Sequence, residues 1–166
     1  SETLVKELID RTLTIARADL DLKMINIELT CIEEEKTLYC IPSEIEQVIL
    51  NLLQNAAQAL YDFQPNEEES WIPKISIDVH QDNLSTYIKV KDNGPGMDVE
   101  TRRRIFEPFF TTKDIGAGTG LGLSVSYFII TAHHHGQLDI ESNPNHGACF
   151  TIKIPNKPVA LHSNMK

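Results

Sequence analysis

Residues 74–97 read KISIDVHQDNLSTYIKVKDNGPGM. Lys74 to His80 and Leu84 to Lys91 each alternate apolar with polar side chains, and Gln81-Asp82-Asn83 between them is turn chemistry, so the stretch predicts a β-hairpin. A hairpin pairs its strands antiparallel. Grouped strands with interspersed helices point to a two-layer α+β sandwich and not to a doubly wound parallel sheet.

Working outward, Thr3 to about Leu22 carries Leu4, Leu8, Ile15 and Ala16 near helical spacing and predicts an amphipathic helix. Ile25, Ile27, Leu29 and Cys31 alternate with polar residues as a strand, and Thr37 to Ile41 gives a second one across the acidic turn Glu33-Glu34-Glu35. Pro42-Ser43-Glu44-Ile45-Glu46 opens the next helix, with Ser43 in N-cap and Glu46 in capping-box position. Its buried stripe is Ile45, Val48, Ile49, Leu52, Leu53, Ala56 and Leu60. Residues 65–73 form a polar loop before the hairpin. After it come a glycine-rich turn, a short helix near Val99 to Phe106, a long loop to about Gly120, a helix from Leu121 to His134, and strands near Gln137 to Ser142 and Cys149 to Pro155.

With 166 residues, 41% of them hydrophobic, one globular domain is expected over residues 1–156, followed by a flexible tail over 157–166. A formal charge of −9 opposes nucleic-acid binding. No run of eighteen apolar residues and no signal-like start appears, so no direct membrane contact is expected of this piece. Cys31, Cys40 and Cys149 are widely spaced and odd in number, which suits a cytoplasmic setting.

Four segments carry chemistry. Asn51 and Asn55, one helical turn apart, project amides from one face, where their oxygens suit a hard cation such as Mg²⁺ that keeps waters and shares phosphate ligands; a plain solvated helix face is the alternative. Asp92-Asn93-Gly94-Pro95-Gly96 ends a strand with a carboxylate that can accept from an amino group, beside glycines that admit a ligand to the backbone. Residues 105–113, IFEPFFTTK, place three aromatic rings and Lys113 at the head of the long loop. Residues 116–123, GAGTGLGL, lead into a helix whose free N–H groups can cradle phosphate, without the Lys-Ser/Thr ending of a P-loop.

In this order, NLLQNA, DNGPGM, FEPFFTTK and GTGLGL resemble the N, G1, F and G2 boxes of the histidine-kinase catalytic domain, within the superfamily that also holds gyrase, the large heat-shock chaperones and the MutL repair proteins. The resemblance covers about Val5 to Pro155, and NAAQAL with FEPFFTTK is similar to the nitrogen-regulation branch. It implies a Bergerat-type sandwich, a mixed sheet with about three main helices on one face and a mobile ATP lid between Met97 and Gly120. It also implies the ligands ATP and Mg²⁺. Position by position, Asn55 would be the principal Mg²⁺ ligand and Asn51 its helper, Asp92 would recognise the adenine amino group, and Gly94 and Gly96 would shape the adenine pocket. Phe106, Phe109 and Phe110 would anchor the lid. Thr111, Thr112 and Lys113 would lie near the nucleotide, with Lys113 approaching phosphate, and Gly118, Thr119, Gly120, Leu121 and Gly122 would face it with their amides.

The resemblance implies phosphoryl transfer to a histidine with little hydrolysis, since Asn51 stands where the superfamily's hydrolases carry a general-base glutamate. None of His80, His133, His134, His135, His146 and His162 has the context of a phosphoacceptor, so the implied partners are an upstream dimerisation and phosphoacceptor segment, in a homodimeric parent, and a response-regulator receiver domain. A nucleotide-responsive binding module and an ATP hydrolase are the alternatives. His133-His134-His135 reads as a helix end closing at Gly136, not as a metal site, and Arg102-Arg103-Arg104 as a solvated face. Two positions depart from the family pattern: Gln58, where a basic residue is common, and Ala148, where a hydroxyl often supports the adenine-binding aspartate.

Overall fold

The computed structural model describes residues 1–31, 35–63, 65, 70–110 and 121–160. In chain order the elements are β1 (Glu2–Leu4), α1 (Val5–Asp19), β2 (Asn26–Thr30), β3 (Thr37–Tyr39), α2 (Pro42–Tyr61), β4 (Lys74–Gln81), β5 (Ser85–Asp92), α3 (Val99–Arg104), α4 (Gly122–Phe128) running into a π turn (Ile129–His133), β6 (Gln137–Ser142) and β7 (Ala148–Pro155).

The main sheet has strand order β2-β4-β5-β7-β6. Only β2 and β4 run parallel; the hairpin β4-β5 and the pairs β5-β7 and β6-β7 are antiparallel, so the sheet is mixed, as expected. Alternation sets its two faces. Ile77, Val90 and Phe150 lie in one cross-strand row, Ile88 and Ile152 in the next, all of them buried. The intervening residues, among them Asp78, Lys89 and Thr151, form the polar face.

The helices cover the apolar face. Every third or fourth residue of α2 from Ile45 to Leu60 is buried, which makes it the central helix of the layer between α1 and α4. Burying side chains of this size contributes about 1.5–3 kcal/mol each, so α2 holds its polar side to a fixed orientation above the sheet.

Four local expectations are corrected. The N-terminal segment is not helical from Thr3: residues Glu2–Leu4 pair antiparallel with Thr37–Tyr39 in a separate two-stranded ribbon, which also takes β3 out of the main sheet. Ser43 does not cap α2. Pro42, whose ring presets the helical φ, starts the helix one residue earlier with Ile41 as N-cap, and Glu46 turns to Arg11 of α1 instead of closing a capping box. The helix after the glycine-rich segment widens into a π turn at Ile129. Its end is closed by a left-handed His135 (φ 52°), with the Gly136 N–H bonding Ile130 carbonyl at 2.8 Å, so the histidine takes the position usually given to glycine. Gly136 is needed for another reason: a Cβ there would lie 2.2 Å from the Lys153 carbonyl oxygen.

Candidate nucleotide site

The polar side of α2 carries a row of amides one turn apart. Gln47 donates to the Asn51 side-chain oxygen at 3.0 Å, and Gln58 donates to Asp62 at 3.3 Å. Between these pairs the half-buried Asn55 has no hydrogen-bond partner among the described residues, which leaves its oxygen available. Asn51 is engaged differently: its Nδ2 donates to the Gly122 carbonyl at 3.1 Å and to the Ser126 hydroxyl at 3.0 Å. The two asparagines thus share a face but not a state, one locked and one free.

Asp92 ends β5 on the helix-covered face and is 4% exposed. Its Oδ1 accepts the Gly94 N–H at 2.9 Å, and the Ala148 backbone N–H also interacts with the carboxylate. Burial raises the carboxyl pKa above the ordinary aspartate value, and the two N–H groups offset part of that. A buried carboxylate supported on one side by backbone donors is a directional acceptor for an amino group.

The loop after Asp92 follows a path only glycine permits. A Cβ on Gly94 would sit 2.9 Å from Asp92 Oδ1. Gly96 has φ +70°, and a Cβ there would lie 2.0 Å from the Asn143 carbonyl oxygen. Asn93 pins the other side: its Oδ1 accepts the Lys74 N–H at 2.8 Å, its Nδ2 donates to Ile72 carbonyl at 2.8 Å, and its own carbonyl receives the Trp71 indole N–H at 3.3 Å.

Asp98 caps α3 by accepting the Thr101 N–H at 2.7 Å, a bond that holds its carboxyl below the usual range. The aromatic cluster divides. Phe106 packs against Tyr127 and Phe150, with ring centroids at 5.2 and 6.2 Å. Phe110 lies under the Arg104 guanidinium at 4.6 Å. Phe109 is 73% exposed with φ +63°. Arg102 is not merely a solvated residue either, since its Nη1 donates to the Ser142 carbonyl at 2.9 Å.

Thr111, Thr112, Lys113, Gly118, Thr119 and Gly120 lie outside the described residues. Leu121 and Gly122, at the start of α4, are described. Among the described residues, a Cβ on Gly122 would meet nothing nearer than Asn51 Cγ at 3.8 Å. The three adjacent histidines diverge: His133 bonds Glu44 at 2.9 Å, His134 is buried with Nε2 accepting the Ile41 N–H at 3.1 Å, and His135 turns the helix end. Among the described residues no cluster of His, Cys, Asp or Glu could hold a metal.

The β6–β7 turn was missed in the sequence. Asn145 N–H donates to Pro95 carbonyl at 2.6 Å, and Gly147, at φ +70°, brings its backbone so close that a Cβ would lie 2.1 Å from the Asp92 carbonyl oxygen. The Asn-His-Gly order at 145–147 is ordinary turn chemistry, and nothing in it announces contact with a loop fifty residues upstream.

Residues 40–158 match the family described as histidine kinase-, DNA gyrase B-, and HSP90-like ATPase. The chain belongs to this family. Among this ATPase family's curated members, it is 34% identical over 151 residues to sporulation kinase E of Bacillus subtilis, covering 91% of this chain and 19% of that protein. It is 38% identical over 119 residues to the sensory histidine kinase/phosphatase NtrB of Vibrio alginolyticus, covering 68% of this chain and 32% of that one, in keeping with the nitrogen-regulation resemblance. The chain therefore spans between a fifth and a third of the length of these relatives. The crystallised catalytic domain of histidine kinase ThkA superposes with a TM-score of 0.79 at 30% identity, covering 95% of this chain and 98% of that one. ThkA has also been solved in complex with the response regulator TrrA, where the superposition has a TM-score of 0.75 at 27% identity and covers 95% of this chain and 42% of that one. The fold is thus that of a histidine-kinase ATP-binding catalytic domain, the Bergerat sandwich expected from the motifs.

Proposed function

We propose that this domain delivers the γ-phosphoryl group of Mg²⁺-ATP to a histidine on an upstream dimerisation segment of a two-component sensor kinase, from which a response-regulator receiver domain takes it. The observations that carry the reading are a buried, backbone-supported Asp92 and an Asn55 amide on α2 that has no hydrogen-bond partner among the described residues.

The residues fit the ligand. Asp92 accepts the base amino group, and Gly94 and Gly96 leave the space a side chain would fill. Asn55 offers a neutral oxygen to a hard cation. Asn51 holds the first turn of α4 against α2 through its bond to the Gly122 carbonyl. Lys113 and the amides of residues 118–122 would be the groups that neutralise phosphate. When bound, Mg²⁺-ATP supplies the transferable phosphoryl group and its neutralising metal; positioning and charge compensation are what such a transfer asks of a protein. No carboxylate occupies position 51 to take a proton from water, so transfer is favoured over hydrolysis.

The folded domain comprises residues 1–156, with 157–166 as its tail. No helix among the described residues is long and apolar enough to cross a membrane.

The test mixes this chain with a matching phosphoacceptor segment and γ-labelled ATP. Acid-labile, alkali-stable label on histidine that requires both components and Mg²⁺ supports the proposal. Label-free acceptor together with steady phosphate release by this chain alone overturns it in favour of a hydrolase.

A further inference from the structure

Ala148, the cross-strand neighbour of Asp92, carries no polar side-chain atom, so polar support from this end of the sheet must come from backbone or from the next strand. The next residue in the same row is Ser142: Asp92 pairs with Ala148 and Ala148 with Ser142, at the end of three adjacent strands. Ser142 is 5% exposed. Its hydroxyl donates to the Gly147 carbonyl at 2.7 Å and accepts the Met97 N–H at 2.8 Å. The single hydroxyl proton and one lone pair are thereby committed.

The Gly147 carbonyl and the Ala148 N–H are two ends of one planar peptide, so a bond that fixes the first fixes the direction of the second. The Ala148 N–H is the group turned toward the Asp92 carboxylate. The second bond, to Met97, holds the far end of the Asp92–Met97 loop, and the Ser142 carbonyl is gripped by Arg102 of α3.

We propose that Ser142 is a positioning residue for adenine recognition, its hydroxyl aligning the Gly147–Ala148 peptide and the Met97 amide so that the Asp92 carboxylate keeps one orientation toward the base. This rests on the reading of Asp92 as the adenine-binding group. Hydrogen bonds in series polarise one another, so the effect reaches the carboxylate through the intervening peptide.

The experiment measures binding of this 166-residue chain to non-hydrolysable adenosine and inosine triphosphate analogues with Mg²⁺, by calorimetry. Inosine lacks the exocyclic amino group that Asp92 accepts. Wild type prefers the adenosine compound. Ser142→Ala weakens it about three- to tenfold, the effect of one hydrogen bond, and leaves the inosine compound unchanged, whereas Ser142→Thr, which keeps the hydroxyl, retains the preference. Should Ser142→Ala not fold, Ser142→Cys, a weak donor of similar shape, is read by the same ratio. An equal loss for both compounds, or an unaltered ratio, overturns the proposal while leaving Asp92 in place. A wild type without base preference overturns the Asp92 reading itself.

Discussion

The Asn51 amide nitrogen lies 3.1 Å from the carbonyl oxygen of Gly122, joining the middle of α2 to the residue at which α4 begins. The same amide reaches the buried Ser126 hydroxyl at 3.0 Å. Asn51 therefore acts first as a strut. Asn51→Asp lacks the N–H donors and places a second negative charge near the phosphates. Its expected result is loss of phosphotransfer by at least about tenfold, two hydrogen bonds of about 1 kcal/mol each being removed. Transfer of label to the acceptor segment checks this, with Asn51→Gln keeping the donor as a control.

Asn55 is the opposite case. Its amide holds no bond to another described residue, so Asn55→Ala changes stability by no more than about 0.5 kcal/mol while abolishing the Mg²⁺ dependence of nucleotide binding. Calorimetry with and without Mg²⁺, beside a denaturation curve, separates the two effects; a large loss of stability would mean that the side chain is structural.

Asp92 gives a prediction with a sign. Its carboxyl is raised by burial, so in the folded state the proton is favoured relative to the unfolded chain. That contribution to stability is fully present below the unfolded value and lost as pH rises through the folded one. At neutral pH the ionised group is therefore a cost. Asp92→Asn is expected to melt no lower than wild type at pH 7, yet to lose adenine binding, since its amide nitrogen presents donors to the base amino group. Wild-type ATP affinity should weaken on acidification, beginning at a higher pH than an ordinary aspartate would dictate. Melting curves and binding isotherms at several pH values test both statements.

Gly96 and Gly122 are both in the motifs but for different reasons. Gly96→Ala forces a left-handed backbone and a collision with the Asn143 carbonyl, and should cost more than about 2 kcal/mol. Among the described residues Gly122→Ala meets only Asn51 Cγ, at 3.8 Å, and it should fold normally. Chemical denaturation of the two variants distinguishes them.

Trp71 is the single tryptophan, and its indole bonds the carbonyl of Asn93, next to Asp92. Nucleotide binding should change its emission, and a saturable change that vanishes in Asp92→Asn would report occupancy directly.

What the sequence made legible were features whose cause is local. The hairpin of β4 and β5 follows from alternation around a turn, α2 from its periodic apolar stripe, and Asp92 from its place at a strand end before two glycines. What it concealed depends on distant partners. Glu46 looks like a capping residue until Arg11 from another helix claims it. Thr37–Tyr39 has a strand's composition, but its neighbour is Glu2–Leu4 and not the main sheet. Ser142 reads as a plain strand end and Gly147 as part of a turn, because the loop they support is about fifty residues away. The state of Asn51, engaged where Asn55 is free, depends on Gly122 and Ser126, seventy positions downstream.

Asp92, Ala148 and Ser142 come from three strand ends and meet only when β5, β7 and β6 share one register. A slip of β7 by a single residue would turn Ala148 to the opposite side and leave the aspartate facing a stranger. The nucleotide is consequently an inspector of assembly: it can reward only chains whose strands have aligned, and its presence during refolding should deplete misregistered forms.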